Sequence, residues 1–391
     1  MSSFADFQNE IYLAGLAGTR PDLPMTAAGL AERAREVLDP EAYAYVAGSA
    51  GAERTAAANE SAFDRYRLIP RMWRGASGPG VRDLSVEVLG TRLAAPVLTA
   101  PVGVLELLHE RGETVVAEVT RELGVGMVLS TASSTPIEDV GAAAGPWWYQ
   151  LYWPSDDELA HSFVDRAVKA GAQAIVITAD TPSLGWRPRD LELAHLPFLR
   201  GKGIANYLSD PVFRAKLSAP PEESAEALQM AVLTWVGLFG NHALRPADIA
   251  KVREWTDLPI AVKGVLHPDD ARHMVDAGAD AVIVSNHGGR QVDGSIGALD
   301  ALSSVVATIG DRADVLFDSG IRTGSDVMVA LSLGAKAVLY GRPWAYGLGL
   351  AGADGVRHAL RILLADLDSA MGLSGCTGVA DLSRTMLSTA R

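Results

Sequence analysis

Ala281-Val282-Ile283-Val284-Ser285-Asn286-His287-Gly288-Gly289-Arg290-Gln291 is the stretch on which the reading of this chain turns. Its first four residues are apolar without alternation, which reads as a short strand buried on both faces. The strand ends in a polar turn that sets an imidazole and a guanidinium three residues apart, with two glycines between them. A proton acceptor then stands beside an anion clamp, with little side-chain bulk between the pair and a ligand. Taken alone, the same residues also describe a polar loop whose His and Arg satisfy backbone carbonyls, so the neighbouring segments decide.

Moving outward, eight apolar runs of this kind follow one another from residue 96 onward, at 96–103, 126–131, 147–152, 174–180, 259–264, 281–286, 314–320 and 337–342. Each ends in a glycine or a polar residue. The stretches between them, at 112–123, 155–170, 268–277, 298–309 and 324–333, carry apolar residues at three- and four-residue spacing, as amphipathic helices do. Ala170-Gly171-Ala172, Ala277-Gly278-Ala279 and Leu333-Gly334-Ala335 each precede a run, where glycine serves as helix C-cap and tight turn. Eight strand-then-helix units predict a closed (β/α)8 TIM barrel of the α/β class.

Two segments depart from a plain barrel. Residues 1–95 precede the first run and predict an N-terminal extension: a helix over 26–38, a second through 43–45, and an extended pair at 84–93 that covers the barrel's N-terminal end. The connection 181–258, after the fourth strand, exceeds what a strand-to-helix loop needs and predicts a lid. The barrel domain is therefore 96–391 with a lid insertion at 181–258.

Composition narrows the function classes. The 391 residues are 48% hydrophobic and 21% charged, enough for a large core. A net charge of −13 gives no electrostatic footprint for nucleic acid, so any anion site must be built from particular arginines. A single cysteine, Cys376, excludes an intramolecular disulfide and a thiolate-built metal site, and reads as a small buried hydrophobe in a reducing compartment. Residues 1–10 lack the charge and apolar pattern of a secretory leader, and the apolar stretch at 231–239 is too short to span a bilayer. A cytoplasmic protein with no membrane contact is expected.

In a barrel of this kind the reacting groups come from the C-terminal ends of different strands, so the residues closing each run can be pooled. The pool holds Ser130, Gln150, Tyr152, Thr178, Lys263, Ser285, His287, Arg290, Asp318, Arg322 and Arg342. Lys263 ends an apolar run, where an ammonium needs an anionic or electron-rich partner unless its head reaches the rim. Asp318 to Gly324 and Gly341-Arg342-Pro343 are glycine-containing turns after strands seven and eight that open helices and carry arginines, the phosphate-binding corner typical of the fold. No G-x-G-x-x-G after a first strand, H-E-x-x-H or G-x-S-x-G occurs, which disfavours a dinucleotide fold, a zinc hydrolase and a serine hydrolase. His109, His161, His195 and His273 have no partners at ligand spacing and read as surface or core residues. Trp147, Trp148 and Trp344 read as packing.

Taken together these residues resemble the FMN-dependent L-2-hydroxy acid oxidase and dehydrogenase family over nearly the whole chain. Ser285 to Gln291 is similar to the family signature, and Gln150-Leu151-Tyr152, Thr178 to Thr181, Val262-Lys263-Gly264, Asp318 to Arg322 and Gly341-Arg342 match its flavin and substrate segments in order. The resemblance implies that His287 is the base, oriented by Asp180, and that Arg187, Arg290 and Tyr45 clamp the substrate carboxylate. It further implies that Tyr152 bonds the substrate oxygen and that Lys263 stabilises reduced flavin. FMN would be bound by Pro101, Val102 and Gly103, with Ser130, Gln150 and Thr178 at the ring system and Ser285 and Asp318 at the ribityl chain. Gly320, Arg322, Gly341 and Arg342 would take the phosphate. Partners implied are a small 2-hydroxy acid and O2, with assembly as a homotetramer or homo-octamer and no metal.

Within the family, residues 8–12, 184–190, 197–201, 206–207 and 210–213 resemble lactate 2-monooxygenase. Gly103 stands where many oxidases carry Ala, and a missing methyl there either leaves room for oxygen or for a lingering product or accommodates close packing. The expected reaction is L-lactate with O2 to acetate, CO2 and water, the alternative being release of the 2-keto acid and hydrogen peroxide. Val102 departs from the Thr of glycolate oxidases, so no side-chain oxygen is offered to flavin there. A phosphate-binding barrel without redox chemistry and a non-catalytic flavin carrier remain as readings of the phosphate corner alone.

Overall fold

The computed structural model describes residues 3–76, 78 and 81–389. Eight parallel strands close into a barrel: β1 Val97–Thr99, β2 Gly126–Ser130, β3 Trp147–Leu151, β4 Ile175–Thr178, β5 Ile260–Val265, β6 Ala281–Val284, β7 Asp314–Phe317 and β8 Val338–Tyr340. Closure is made by β8 on β1, with Val338, Leu339 and Tyr340 opposite Val97, Leu98 and Thr99. Every predicted run holds one of these strands, and the five predicted helical stretches hold Gly112–Leu123, Asp157–Lys169, Pro268–Asp276, Ala298–Ile309 and Gly324–Ser332. The three turn glycines adopt φ of 89°, 106° and 109°, backbone that glycine enters at no steric cost.

The two-residue strand period sorts each strand into layers. Leu98, Val128, Trp148, Val176, Ala261, Ile283, Leu316 and Leu339 face the barrel interior and form one apolar cluster. Met127, Tyr149, Ile175, Val262 and Val284 face outward into the helices. Two residues beyond the interior apolar layer, on the same face, come Ala100, Ser130, Gln150, Thr178, Lys263, Ser285, Asp318 and Gly341. The alternation that packs the core therefore also delivers one polar ring to the barrel's C-terminal end.

At the opposite end the barrel is plugged by a hairpin of Val86–Val88 with Thr91–Leu93, whose Val88 and Leu93 join the interior cluster. Its Thr91 hydroxyl accepts the indole N–H of fully buried Trp148 at 2.8 Å. Two further helices of the extension, Ala27–Val37 and Pro40–Ala47, are capped by Thr26 and Asp39, and the second carries Tyr45 to the C-terminal end of the barrel. An additional N-terminal helix, Asp6–Leu16, has no counterpart in the sequence reading, because it buries no residue and shows no apolar face. Trp147, Trp148 and Trp344 are core residues, and Cys376 is buried against the Met386 sulfur.

The segment 181–258 is ordered. It carries the short helices Pro188–Glu192, Ala205–Leu208 and Pro211–Arg214 and the longer Ala225–Leu238. Its last stretch, Ile249–Trp255, is the helix that returns to β5, so the excursion over the barrel ends before the expected 258. Aromatic contacts hold it down: Phe163 meets Tyr207 edge-on at 4.8 Å, and Trp235 packs on Phe198 at 5.0 Å and on Phe239 at 4.8 Å. Among the described residues no helix is long and apolar enough to cross a membrane.

Candidate active site

At the C-terminal end of the barrel a cleft encloses about 1060 Å3 of empty space, its open mouth included. Tyr45, Pro101, Val102, Gly103, Ser130, Tyr152, Arg187 and Lys263 line it, as do His287, Arg290, Asp318, Gly320, Arg322, Gly341 and Arg342. Behind the wall, Asp180 bonds His287 and Ser285 bonds Lys263, while Gln150 and Thr178 are the strand partners of Ser130 and Lys263.

The loop after β6 explains the Gly-Gly of the signature. His287, Gly288 and Gly289 all have positive φ, at 59°, 65° and 79°. A Cβ on Gly289 would sit 2.6 Å from the Ala56 amide nitrogen, and one on Gly288 would sit 2.8 Å from the Arg342 Nη1. His287 itself pays for a left-handed backbone. It is held there by its amide donating to the Ser285 Oγ at 3.0 Å and by its ring contacts.

Those contacts give the imidazole its chemistry. Nδ1 meets the Asp180 carboxylate at 2.9 Å and the Thr181 hydroxyl at 3.2 Å, while Nε2 faces the Tyr152 hydroxyl at 3.3 Å. Burial pushes the His287 pKa below its usual value; Asp180 opposes the shift, and the nearby Lys263 and Arg187 charges add to it. For Asp180, burial works upward but the His287 and Lys263 charges and the hydrogen bonds win, leaving it below the usual carboxylate range. An ionised carboxylate thus fixes the ring so that Nε2 is a free base at neutral pH.

Opposite the ring stand two guanidiniums. Arg290 lies 5.3 Å over the Tyr45 ring and donates to the carbonyls of Tyr45 and Gly48 at 2.7 and 2.6 Å. Arg187 donates to the Arg290 carbonyl at 3.2 Å and to the Gln291 side-chain oxygen at 3.0 Å. Burial and then the Arg290 charge bring Arg187 down to about 10, the mark of two cations held together for an anion. Gln291 also donates to the carbonyls of Asp180 and Ser183, tying the arginine to the acid that orients the base.

Lys263 is buried, yet burial is outweighed by Asp318 at 3.1 Å and by Asp180, so its pKa is raised. It also donates to Ser285 Oγ at 3.0 Å. The expectation of an electron-rich partner is met inside the chain by Asp318. Gln150 Nε2 donates to Thr178 Oγ1 at 2.8 Å.

The phosphate corner differs in detail from the expected helix terminus. At the start of Gly324–Ser332 the amides of Arg322 and Thr323 donate to Asp326 and that of Gly324 to Asp366, so this terminus is already satisfied. Gly320 and Ile321, whose amides meet no acceptor among the described residues, line the cleft instead. Arg342 beside them donates to Val46, Gly288, Gly48 and Ser49, and Arg322 pairs with Glu60 at 2.6 Å. Free amides flanked by arginines make an anion site of the nest type.

Gly103 does not open the space expected of it. A Cβ there would press 2.8 Å from both the Cβ and the carbonyl oxygen of Ala132, so the glycine lets the loops after β1 and β2 touch. Thr181, Gln291 and Gly264 belong to the matched segments but were given no role of their own. A Cβ on Gly264 would fall 2.5 Å from the Asp180 carboxyl carbon, and its φ is 101°. The four-residue run Thr178 to Thr181 and the Lys-Gly dipeptide were visible; that one packs over the other was not. Of the four histidines set aside, His161 stacks on Trp255, and His195 is buried with its Nδ1 2.8 Å from Glu41, away from the cleft.

A planar ring with an anionic tail fits these residues. Side-chain donors and acceptors border one end of the cleft, Pro101, Val102 and Leu339 offer apolar wall, and the free amides of Gly320 and Ile321 mark the anion end. Comparison with known proteins agrees. The family model described as FMN-dependent dehydrogenase matches residues 34–389. An FMN-dependent alpha-hydroxy acid dehydrogenase of Penicillium citrinum is 44% identical over 98% of this chain and 95% of its own length. An L-lactate oxidase of Lysinibacillus sphaericus is 38% identical over 92% of this chain and 91% of its own. The crystal structure of a mandelate oxidase superposes with a TM-score of 0.81 at 38% identity, covering 94% of this chain and 98% of that one. The chain belongs to the FMN-dependent 2-hydroxy acid oxidase and dehydrogenase family, and is an oxidoreductase with FMN as its cofactor.

Proposed function

We propose that the cleft oxidises a small L-2-hydroxy acid, L-lactate in the first instance, with O2 as the second substrate. The observation that carries this is His287 Nε2 facing the Tyr152 hydroxyl, with Asp180 on its other ring nitrogen and the paired cations Arg187 and Arg290 lining the same cleft. Arg187 and Arg290 bind the carboxylate, since guanidinium forks match its two oxygens. The Tyr152 hydroxyl, kept protonated by a pKa that burial pushes up, donates to the substrate oxygen. His287 takes the substrate proton, and Asp180 balances the imidazolium that results. Bound FMN supplies the two-electron acceptor. Lys263 places a positive charge beside it, and Gly320, Ile321, Arg322, Gly341 and Arg342 hold its phosphate.

The finer outcome we propose is the coupled one, in which pyruvate and hydrogen peroxide react before leaving and L-lactate with O2 yields acetate, CO2 and water. What supports it is the apolar lining that the lid adds to the cleft through Leu184, Phe198 and Phe239, a setting that favours retention of product. Gly103, packed on Ala132, lends this reading no support. Quantifying acetate, pyruvate and peroxide after aerobic L-lactate turnover tests it; acetate in excess is expected, whereas pyruvate and peroxide in equal amounts assign the enzyme as a simple oxidase. A cytoplasmic homotetramer or homo-octamer completes the proposal by likeness to the family, and light scattering of the purified holoenzyme measures the assembly.

A further inference from the structure

Behind the substrate end of the cleft lies a second cavity of about 920 Å3, its opening included. Its depth is apolar, with Ile177, Val262 and Ile249 buried and Met274 and Leu244 half-buried, and its exposed side carries Pro182, His242 and Arg245. Tyr152 and Thr181 line both cavities, so the wall between them is one side chain thick there. The lid completes that wall with consecutive residues: Phe239 lines the active cleft and Gly240 lines the second cavity. Gly240 has φ 83°, and a Cβ on it would lie 2.7 Å from the Pro182 carbonyl oxygen, so the lid backbone is pressed onto the wall at this point. The Phe239 ring stands edge-on to Tyr152 at 5.6 Å and is braced from behind by Trp235.

A 2-hydroxy acid held by its carboxylate on Arg187 and Arg290 and by its hydroxyl at Tyr152 and His287 leaves its third substituent to the apolar lining of the same cleft, to which Phe198 and Phe239 belong. We infer that the second cavity is a subsite for the apolar side chain of a longer 2-hydroxy acid, branched aliphatic or aryl, and that Phe239 closes it off and sets the upper size of the substrate. The inference rests on the reading of the cleft as a 2-hydroxy acid site. An aromatic ring removed from such a wall exposes apolar lining to the substrate, and each added apolar group accommodated is worth tens-fold in specificity.

The test compares kcat/KM for L-lactate and L-3-phenyllactate in the FMN-loaded wild type, Phe239→Ala, Phe239→Leu, Met274→Trp and the Phe239→Ala/Met274→Trp double variant. Met274 lies on the far side of the second cavity, on the helix Pro268–Asp276, and touches none of the proposed chemistry. The phenyllactate-to-lactate ratio should rise at least about tenfold in Phe239→Ala, and by less in Phe239→Leu. Met274→Trp alone should turn over L-lactate as the wild type does, and in the double variant it should cancel the gain by filling the subsite. An unchanged ratio in Phe239→Leu with flavin bound overturns the inference even if Phe239→Ala fails to fold. So does a gain that survives Met274→Trp, which would mean that the longer chain leaves toward solvent. A wild type whose flavin no 2-hydroxy acid reduces overturns the reading of the cleft itself.

Discussion

Asp180→Asn separates the charge of the orienting acid from its shape, and the structure predicts effects of opposite sense on two observables. At the 2.9 Å separation from His287 Nδ1, a unit charge pair at an effective dielectric constant of 20 is worth about 6 kcal/mol before desolvation. A hydrogen bond to a charged group contributes about 1.5–3 kcal/mol net. The amide keeps an acceptor in place, so the loss is that net term, felt when His287 becomes cationic. At 1.36 kcal/mol per decade it amounts to about 10- to 150-fold in the rate of flavin reduction by L-lactate. The pH profile moves separately. Asp180 raises the His287 pKa against burial and against the Lys263 and Arg187 charges, so without it the pKa falls further below its usual value. The base form, present above that pKa, then survives to lower pH, and the acid limb of kcat/KM shifts down as the plateau drops. Anaerobic stopped-flow bleaching of the flavin across a pH series measures both. A plateau within about threefold of wild type, or a limb that moves up, refutes the pairing of Asp180 with a catalytic base.

Gly264→Ala should act on the same pair from behind, since its Cβ would fall 2.5 Å from the Asp180 carboxyl carbon; flavin reduction slows in this variant while FMN stays bound, and an unchanged rate would show that the carboxylate can move without consequence. Lys263→Met leaves Asp318 buried without its cation, a loss of about 3–5 kcal/mol. Urea unfolding of the apoprotein reads that loss, and Lys263→Met/Asp318→Asn should recover much of the stability without recovering FMN affinity. Thr91→Val strands the Trp148 indole N–H inside the barrel floor, at a cost of about 1–3 kcal/mol. Its urea midpoint should fall while lactate turnover per bound flavin is unchanged, which checks that floor and mouth act independently.

Much of the barrel could be read directly because parallel strands buried on both faces carry near-continuous apolar runs, and because their connecting helices keep a 3.6-residue period. The polar ring was legible for a related reason. Ser130, Gln150, Thr178, Lys263, Ser285 and Asp318 each sit two residues beyond an interior apolar residue, so the pleat that hides one exposes the other at the mouth. Less legible were features that depend on one loop lying on another. Thr323 and Asp326 form a capping box that is local in sequence, but nothing near it says that the Asp366 carboxylate, 42 residues on, takes the Gly324 amide. As a result the available amides are those of Gly320 and Ile321, not those of the helix that the glycine-rich turn opens.

Gly103 shows why a residue type alone cannot carry an argument about outcome. Glycine beside a flavin reads as added space, but space is a property of what the missing methyl would have met, and here it would have met Ala132. The space that bears on substrate range lies elsewhere, behind Tyr152 and Phe239, in a cavity between barrel residues such as Ile177 and Val262 and lid residues that have no common period or motif. Such a wall is assembled from helix ends and turns, whose relative placement follows from aromatic packing of Phe198, Trp235 and Phe239 rather than from any pattern along the chain. It follows that relatives sharing the ring of catalytic side chains can differ in the acids they oxidise through the apolar part of the lid, since the base and the flavin contacts are fixed by strand ends while the lid, apart from Arg187 of the clamp, is free to vary.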